Sequence, residues 1–178
     1  MSTYKSVADY LTKKDGNFTI SDHGNKNMRD ALCCALPAGE DALKAQFDQA
    51  IDSMKADGTL AKLTDTYITG LKDGAEPPAV ELPKLDGAET LKVGITGDLP
   101  PLDLVLSDGK AAGFSTAVLA ELSKRVGKNV EIVSIDSAAR ASALTSGRVD
   151  VVFWVAVPAE DSILPKDADL PQNIVVTK

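Results

Sequence analysis

The sequence predicts an α/β fold: a three-layer sandwich around a mostly parallel five-stranded sheet with one antiparallel strand. Three observations predict it. Between Leu91 and Val157, strand, hairpin, helix, strand, helix and strand signals follow one another without a gap, the alternation of a doubly wound parallel sheet. After Asp150 the chain runs Val-Val-Phe-Trp-Val-Ala-Val, as suits a strand buried on both faces. A second apolar run, Ala31 to Leu36, leads into a helix whose stripe of Leu43, Phe47, Ala50, Ile51 and Met54 must be covered by another layer.

In chain order, Val7, Tyr10 and Leu11 share the face of a short amphipathic helix, and Asp15-Gly16-Asn17 turns it into Phe18 to Ile20. A polar joint, Ser21 to Lys26, precedes a strand from Met28 to Leu36 that Pro37-Ala38-Gly39 stops. The helix from Asp41 ends at Asp57-Gly58, a left-handed glycine stop, and Thr59 is placed to cap the next, with Leu60, Leu63, Tyr67 and Ile68 inward. Thr69 to Thr90 carries Pro77, Pro78 and Pro83 and no periodicity, as an acidic, exposed linker would.

Leu91 to Ile95 alternates as a strand, and Gly97 to Pro101 breaks it into a loop suited to face a ligand. Leu102 to Leu106 and Ala111 to Phe114 read as a hairpin closed by a tight two-residue Asp108-Gly109 turn. Ser115 is the expected cap of a helix with Val118, Leu119, Leu122 and Val126 inward and Gly127 at its end. Val130 to Ile135 is a strand. Asp136 or Ser137 then caps a helix through Arg140, Ala143 and Leu144 that Gly147 closes. The expected sheet has parallel strands 91–95, 130–135 and 150–157, an edge strand at 173–177, and strand 31–36 antiparallel between the last two. Residues 1–26 form a helix-strand extension, 27–68 a strand and two helices, 69–90 the linker and 91–178 the core.

With 178 residues the chain has room for one ordinary domain, or one plus a fragment. It is 44% apolar and 25% charged, a globular composition. A net charge of −7 argues against nucleic-acid partners, which need a basic face. No apolar run is long enough to span a membrane, and the first ten residues lack the apolar centre of a secretory signal. The chain as given is expected to stay in the cytoplasm or to have had an export signal removed. Cys33 and Cys34 are adjacent and read as buried free thiols in a strand. The lone His23 makes neither a metal site nor a triad, so no metal and no cofactor is expected.

Three stretches carry a resemblance: Leu91-Lys-Val-Gly-Ile-Thr-Gly-Asp-Leu-Pro-Pro101, Asp108-Gly-Lys-Ala-Ala-Gly-Phe114, and Ala143-Leu-Thr-Ser-Gly-Arg-Val-Asp150. In this order and spacing they resemble the first lobe of bacterial extracellular solute-binding proteins of the amino-acid family, family 3. Pro37 to Asp41, Leu43 to Met54 and Lys55 to Lys62 look like that family's closing strand and helices, and residues 4–20 like the last helix and strand of its second lobe. The family's tail thus precedes its head, and the body of the second lobe is absent. Either the chain is cut across tandem domains, or one lobe has its head and tail rejoined as a circular permutant. The resemblance implies a type 2 periplasmic-binding-protein lobe, transport-type binding of the ABC-transporter kind, and a periplasmic or extracellular location. A coil of about twenty residues spans roughly 25 Å, which permits a single folded chain or a homodimer that swaps residues 1–70.

In the family an aromatic residue follows the Pro-Pro turn, polar groups open the second helix, and a Thr-x-x-Arg after the third strand grips a ligand carboxylate. Here Leu102 stands at the aromatic position, Pro158 at the threonine and Asp161 at the arginine. The amino-acid clamp is missing and an acid replaces its cation. A site for a small polar or cationic solute would then use Asp98, Leu102, Asp136, Ser137, Arg140, Trp154 and Asp161. The blander readings make Asp136 and Ser137 helix caps, Arg140 a solvated cation and Trp154 core. A remnant lobe working through self-association or a partner is the second function considered. A lyase or hydrolase is the third, but no Gly-x-Ser-x-Gly, His-Glu-x-x-His or phosphate-binding glycine loop occurs, so no enzyme is expected.

Overall fold

A computed structural model describes residues 3–21, 30–72, 74–159 and 173–177. His23 and Asp161 lie outside the described residues. Ten elements form the frame among the described residues: helix α1 (Lys5–Lys14), strand β1 (Asp30–Pro37), α2 (Asp41–Ala56), α3 (Thr59–Thr64), β2 (Thr90–Ile95), α4 (Phe114–Val126), β6 (Asn129–Ser134), α5 (Arg140–Thr145), β7 (Val151–Pro158) and β8 (Ile174–Val176). Three short strands, β3 (Asp98–Leu99), β4 (Asp103–Val105) and β5 (Ala111–Ala112), form a small separate sheet.

The main sheet has the order β6-β2-β7-β1-β8. β2 runs parallel to β6 and β7, whereas β1 is antiparallel to both β7 and β8. This is the mostly parallel five-stranded arrangement expected, with the antiparallel strand in its expected place. Local chemistry explains the pairings. β2 and β6 set apolar residues opposite one another on one face, Leu91 opposite Val130 and Val93 opposite Ile132. β1 and β7 are the two longest apolar runs and make the most extensive contact in the sheet.

Alternate residues of β1 and β7 divide between two apolar clusters, as the two-residue period of a strand requires. Cys34, Leu36, Val151 and Phe153 join Phe47 and Met54 of α2 and Val118, Leu119 and Leu122 of α4. Ala35 and Val152 join Ala143 and Leu144 of α5. Cys33 and Cys34 are free and buried, and burial raises both thiols above their ordinary range. β7 is less enclosed than its apolar run suggests, because only Val151 to Phe153 are buried and Ala156 is exposed.

Several local expectations are corrected. Ser115 is not the cap of α4; Gly113 holds that position and Ser115 lies fully buried in the first turn. Thr59 is the first residue of α3, and the Asp57 carboxylate accepts its N–H at 2.9 Å. Neither Asp136 nor Ser137 makes a side-chain cap; they open a 3₁₀ turn, Ser137–Ala139, before α5. The β4–β5 turn is a three-residue loop, Ser107 to Gly109. Leu106 N–H donates to Lys110 O at 2.8 Å and Gly109 N–H to Leu106 O at 2.9 Å, and only Gly109 has positive φ. Phe18 to Ile20 forms no strand and leaves Phe18 and Ile20 half exposed. The linker is not simply exposed coil: Ala79 bridges to Ala112, Pro77 is buried, and Asn129 bonds to Leu85 N–H, Leu85 O and Ala88 O.

Candidate functional site

The parallel pairing of β2 and β6 sets the geometry of the candidate rim. Ile135 N–H donates to Ile95 O at 2.9 Å, so the segments leaving these two strands start side by side at one end of the sheet. One carries Thr96, Gly97 and Asp98, the other Asp136, Ser137 and Arg140. Open α/β sheets hold ligands beyond such carboxyl ends. Asp98, Asp136 and Ser137 are exposed there and Arg140 is half-buried. The Arg140 Nε is buried without a hydrogen-bond partner among the described residues. Tyr4 and Asp30 lie near it: the Tyr4 hydroxyl is pushed up first by burial and then by the Asp30 carboxylate, with the Arg140 charge opposing.

The loop after β2 is held by a residue that sequence reasoning passes over. Asp103 is 1% exposed, and its Oδ2 accepts from Thr96 N–H at 3.1 Å, Thr96 Oγ1 at 3.3 Å and Gly97 N–H at 3.2 Å. Burial raises its pKa against the pull of those bonds. Its Oδ1 is buried with no partner among the described residues. The signal was an acid in a strand otherwise apolar, two residues after Pro101.

Two expected site residues have partners of their own. Leu102 is 4% exposed and belongs to the core cluster, leaving no surface for a solute, because the residues after the Pro-Pro turn fold inward beneath α4. Trp154 lies in the wall of a cavity between α2, α3, α4 and the β1–β7 pair, whose lining includes none of Asp98, Asp136, Ser137 or Arg140. Its indole N–H donates to Ser115 Oγ at 2.5 Å, and its ring lies 6.2 Å from that of Phe114 and 3.9 Å from that of Phe153. The register of β1 and β7 slips here: Cys33 faces Val155 and Cys34 faces Phe153, so Trp154 is the extra residue of a bulge, which re-aims a side chain.

No group of three or more metal-ligating side chains occurs among the described residues. No helix of the described residues is long and apolar enough to cross a membrane.

Residues 91–158 match the family model of bacterial extracellular solute-binding proteins, family 3. That segment runs from β2 through the end of β7 and includes every rim residue described here. No curated protein and no solved structure matches the chain.

Proposed function

We propose that the chain is a non-catalytic solute-binding lobe whose ligand site is atypical for amino-acid transport. The observation that carries this reading is the adjacency of the Gly97–Asp98 and Asp136–Ser137 segments at the carboxyl ends of paired parallel strands, within the segment that matches the family. Two exposed carboxylates at that end, with Asp161 as a third in sequence, favour a cationic or polar solute over an amino-acid carboxylate. The net charge of −7 adds long-range attraction for a cation. Arg140 and Ser137 supply donors for a polar ligand.

The architecture is read as a three-layer lobe, supported by the division of β1 and β7 between two apolar clusters. The order of its parts is read as a permuted lobe, since β1 from the family's tail pairs with β7 and β8 from its head. The domain-swapped homodimer would preserve the same pairings between chains. Family resemblance supports a periplasmic or extracellular location and a role in transport. A second reading, a lobe that acts by docking on a partner, is favoured by the half-exposed Phe18 and Ile20.

Isothermal titration with spermidine and with lysine tests the first reading. Saturable heat is expected from the wild-type chain, and Asp98→Ala and Asp136→Ala should each weaken it several-fold. No heat from either solute, or heat unchanged in both variants, would remove the rim from consideration.

A further inference from the structure

We infer that the cavity beside Trp154 is a separate binding site for a small carboxylic acid with an apolar body of one ring and a short tail. The cavity has a volume of about 250 Å³ and opens to solvent. Protein cores seldom leave voids much larger than a water molecule. An apolar cavity of about 150 Å³ stays dry and takes up benzene. Ile51, Met54, Leu60, Val118, Phe114 and Trp154 line it, so a ring inside would lie against two aromatic faces and aliphatic side chains.

The polar groups of the wall are already engaged. The Trp154 N–H is given to Ser115, and the Thr177 hydroxyl accepts the Cys34 N–H at 3.0 Å. Burial holds the Cys33 thiol above its ordinary range. The interior thus rewards apolar surface.

One cation completes the wall. Lys55, in the last turn of α2, lines the cavity and lies close enough for its charge to act on the Cys33 thiol. Its side chain is 51% exposed, and its ion pair among the described residues is with the exposed carboxylate of Asp52, at 3.3 Å, a pairing that binds weakly. Lysine stems lie along apolar surface while the ammonium stays in water. A carboxylate at the mouth would find that ammonium while its ring fills the cavity. This site shares no residue with the polar rim other than by neighbourhood in the fold, and it stands whether or not the rim binds a cation.

Trp154 is the chain's single tryptophan, so its emission reports on the cavity directly. The probes are 3-phenylpropionate and its neutral counterpart 3-phenylpropan-1-ol. Both should change Trp154 emission saturably, the acid about threefold more tightly, the scale of one exposed ion pair. Lys55→Gln should erase the acid's advantage and leave the alcohol unchanged. Val118→Phe, or Ile51→Phe should the first not fold, should abolish both responses, whereas Asp98→Ala and Asp136→Ala should alter neither. An unresponsive folded wild type, a response that survives cavity filling, or one lost in the rim variants would overturn the site. Equal affinity for acid and alcohol would overturn the carboxylate class.

Discussion

The Trp154 indole donates its N–H to the Ser115 hydroxyl at 2.5 Å, fastening the bulge of β7 to the first turn of α4. Ser115 has no exposed surface, so removing its hydroxyl leaves an indole N–H without an acceptor in a partly buried site. Ser115→Ala should destabilise the fold by about 1–3 kcal/mol. Urea unfolding checks this, as a shifted midpoint with an unchanged slope.

Arg125 joins α4 to the α2–α3 turn. Its guanidinium donates to Ser53 Oγ at 2.6 Å, Asp57 Oδ2 at 2.8 Å and Thr59 Oγ1 at 3.0 Å. Arg125→Ala should cost about 1 kcal/mol, the low end for a bond to a charged group because the cluster is partly wet. Arg125→Lys should recover little, since an ammonium cannot reach three acceptors spread over a planar fork. A double-mutant cycle with Ser53→Ala should show positive coupling.

Gly113 cannot carry a side chain. Its φ is +95°, and a Cβ would stand 2.6 Å from Pro101 O and 2.8 Å from Leu104 Cδ2. The oxygen is fixed, because it accepts Phe114 N–H at 3.2 Å. Gly113→Ala should destabilise by about 2–5 kcal/mol, adding backbone strain to overpacking. Gly109→Ala is the control: φ is +82° but nothing lies within 4 Å, so only the backbone penalty of about 1–2 kcal/mol applies. Thermal melts of the two variants separate these costs.

Two carboxylates should give opposite pH dependences. Asp57 is held at about 2, from the ordinary 3.8, by the Thr59 hydroxyl, the Thr59 N–H and Arg125. Its contribution is present above pH 3.8 and lost as pH falls towards 2. Asp103 is raised by burial, so its contribution is full below 3.8 and lost as pH rises through its folded value. Asp57→Asn should flatten the acid limb of a melting-temperature profile. Asp103→Asn should instead flatten the decline that begins just above the ordinary carboxylate value.

The elements were legible because they rest on patterns that local sequence carries, and the family resemblance supplied their order in the sheet. The apolar runs of β1 and β7, the stripe of α2, and the left-handed Gly58 and Gly127 each fix an element or its end. Side-chain roles were less legible, because they depend on distant partners. Ser115 at a helix start looks like a cap until Trp154, 39 residues later, takes its oxygen. Leu102 looks like a ligand platform until α4 covers it. Trp154 itself reads as either core or platform, and the bulge in β7 decides its direction. The role of Asp103 was harder to read, because beyond its being an acid in an apolar strand its partners, the N–H groups of Thr96 and Gly97, have no sequence signature.

The rim was legible as a set of residues and not as a geometry. Asp98 and Asp136 are 38 positions apart in sequence, and the Ile135 to Ile95 hydrogen bond is what brings their segments together.

The central claim is that this chain binds a small solute, and a thermal-shift screen tests it most directly. A ligand that binds only the folded state stabilises it by about 2.7 kcal/mol at a hundredfold excess over its dissociation constant. The account predicts a concentration-dependent rise in melting temperature with lysine, arginine or spermidine and none with glutamate. A cooperative melt that no cationic or polar solute moves would contradict it.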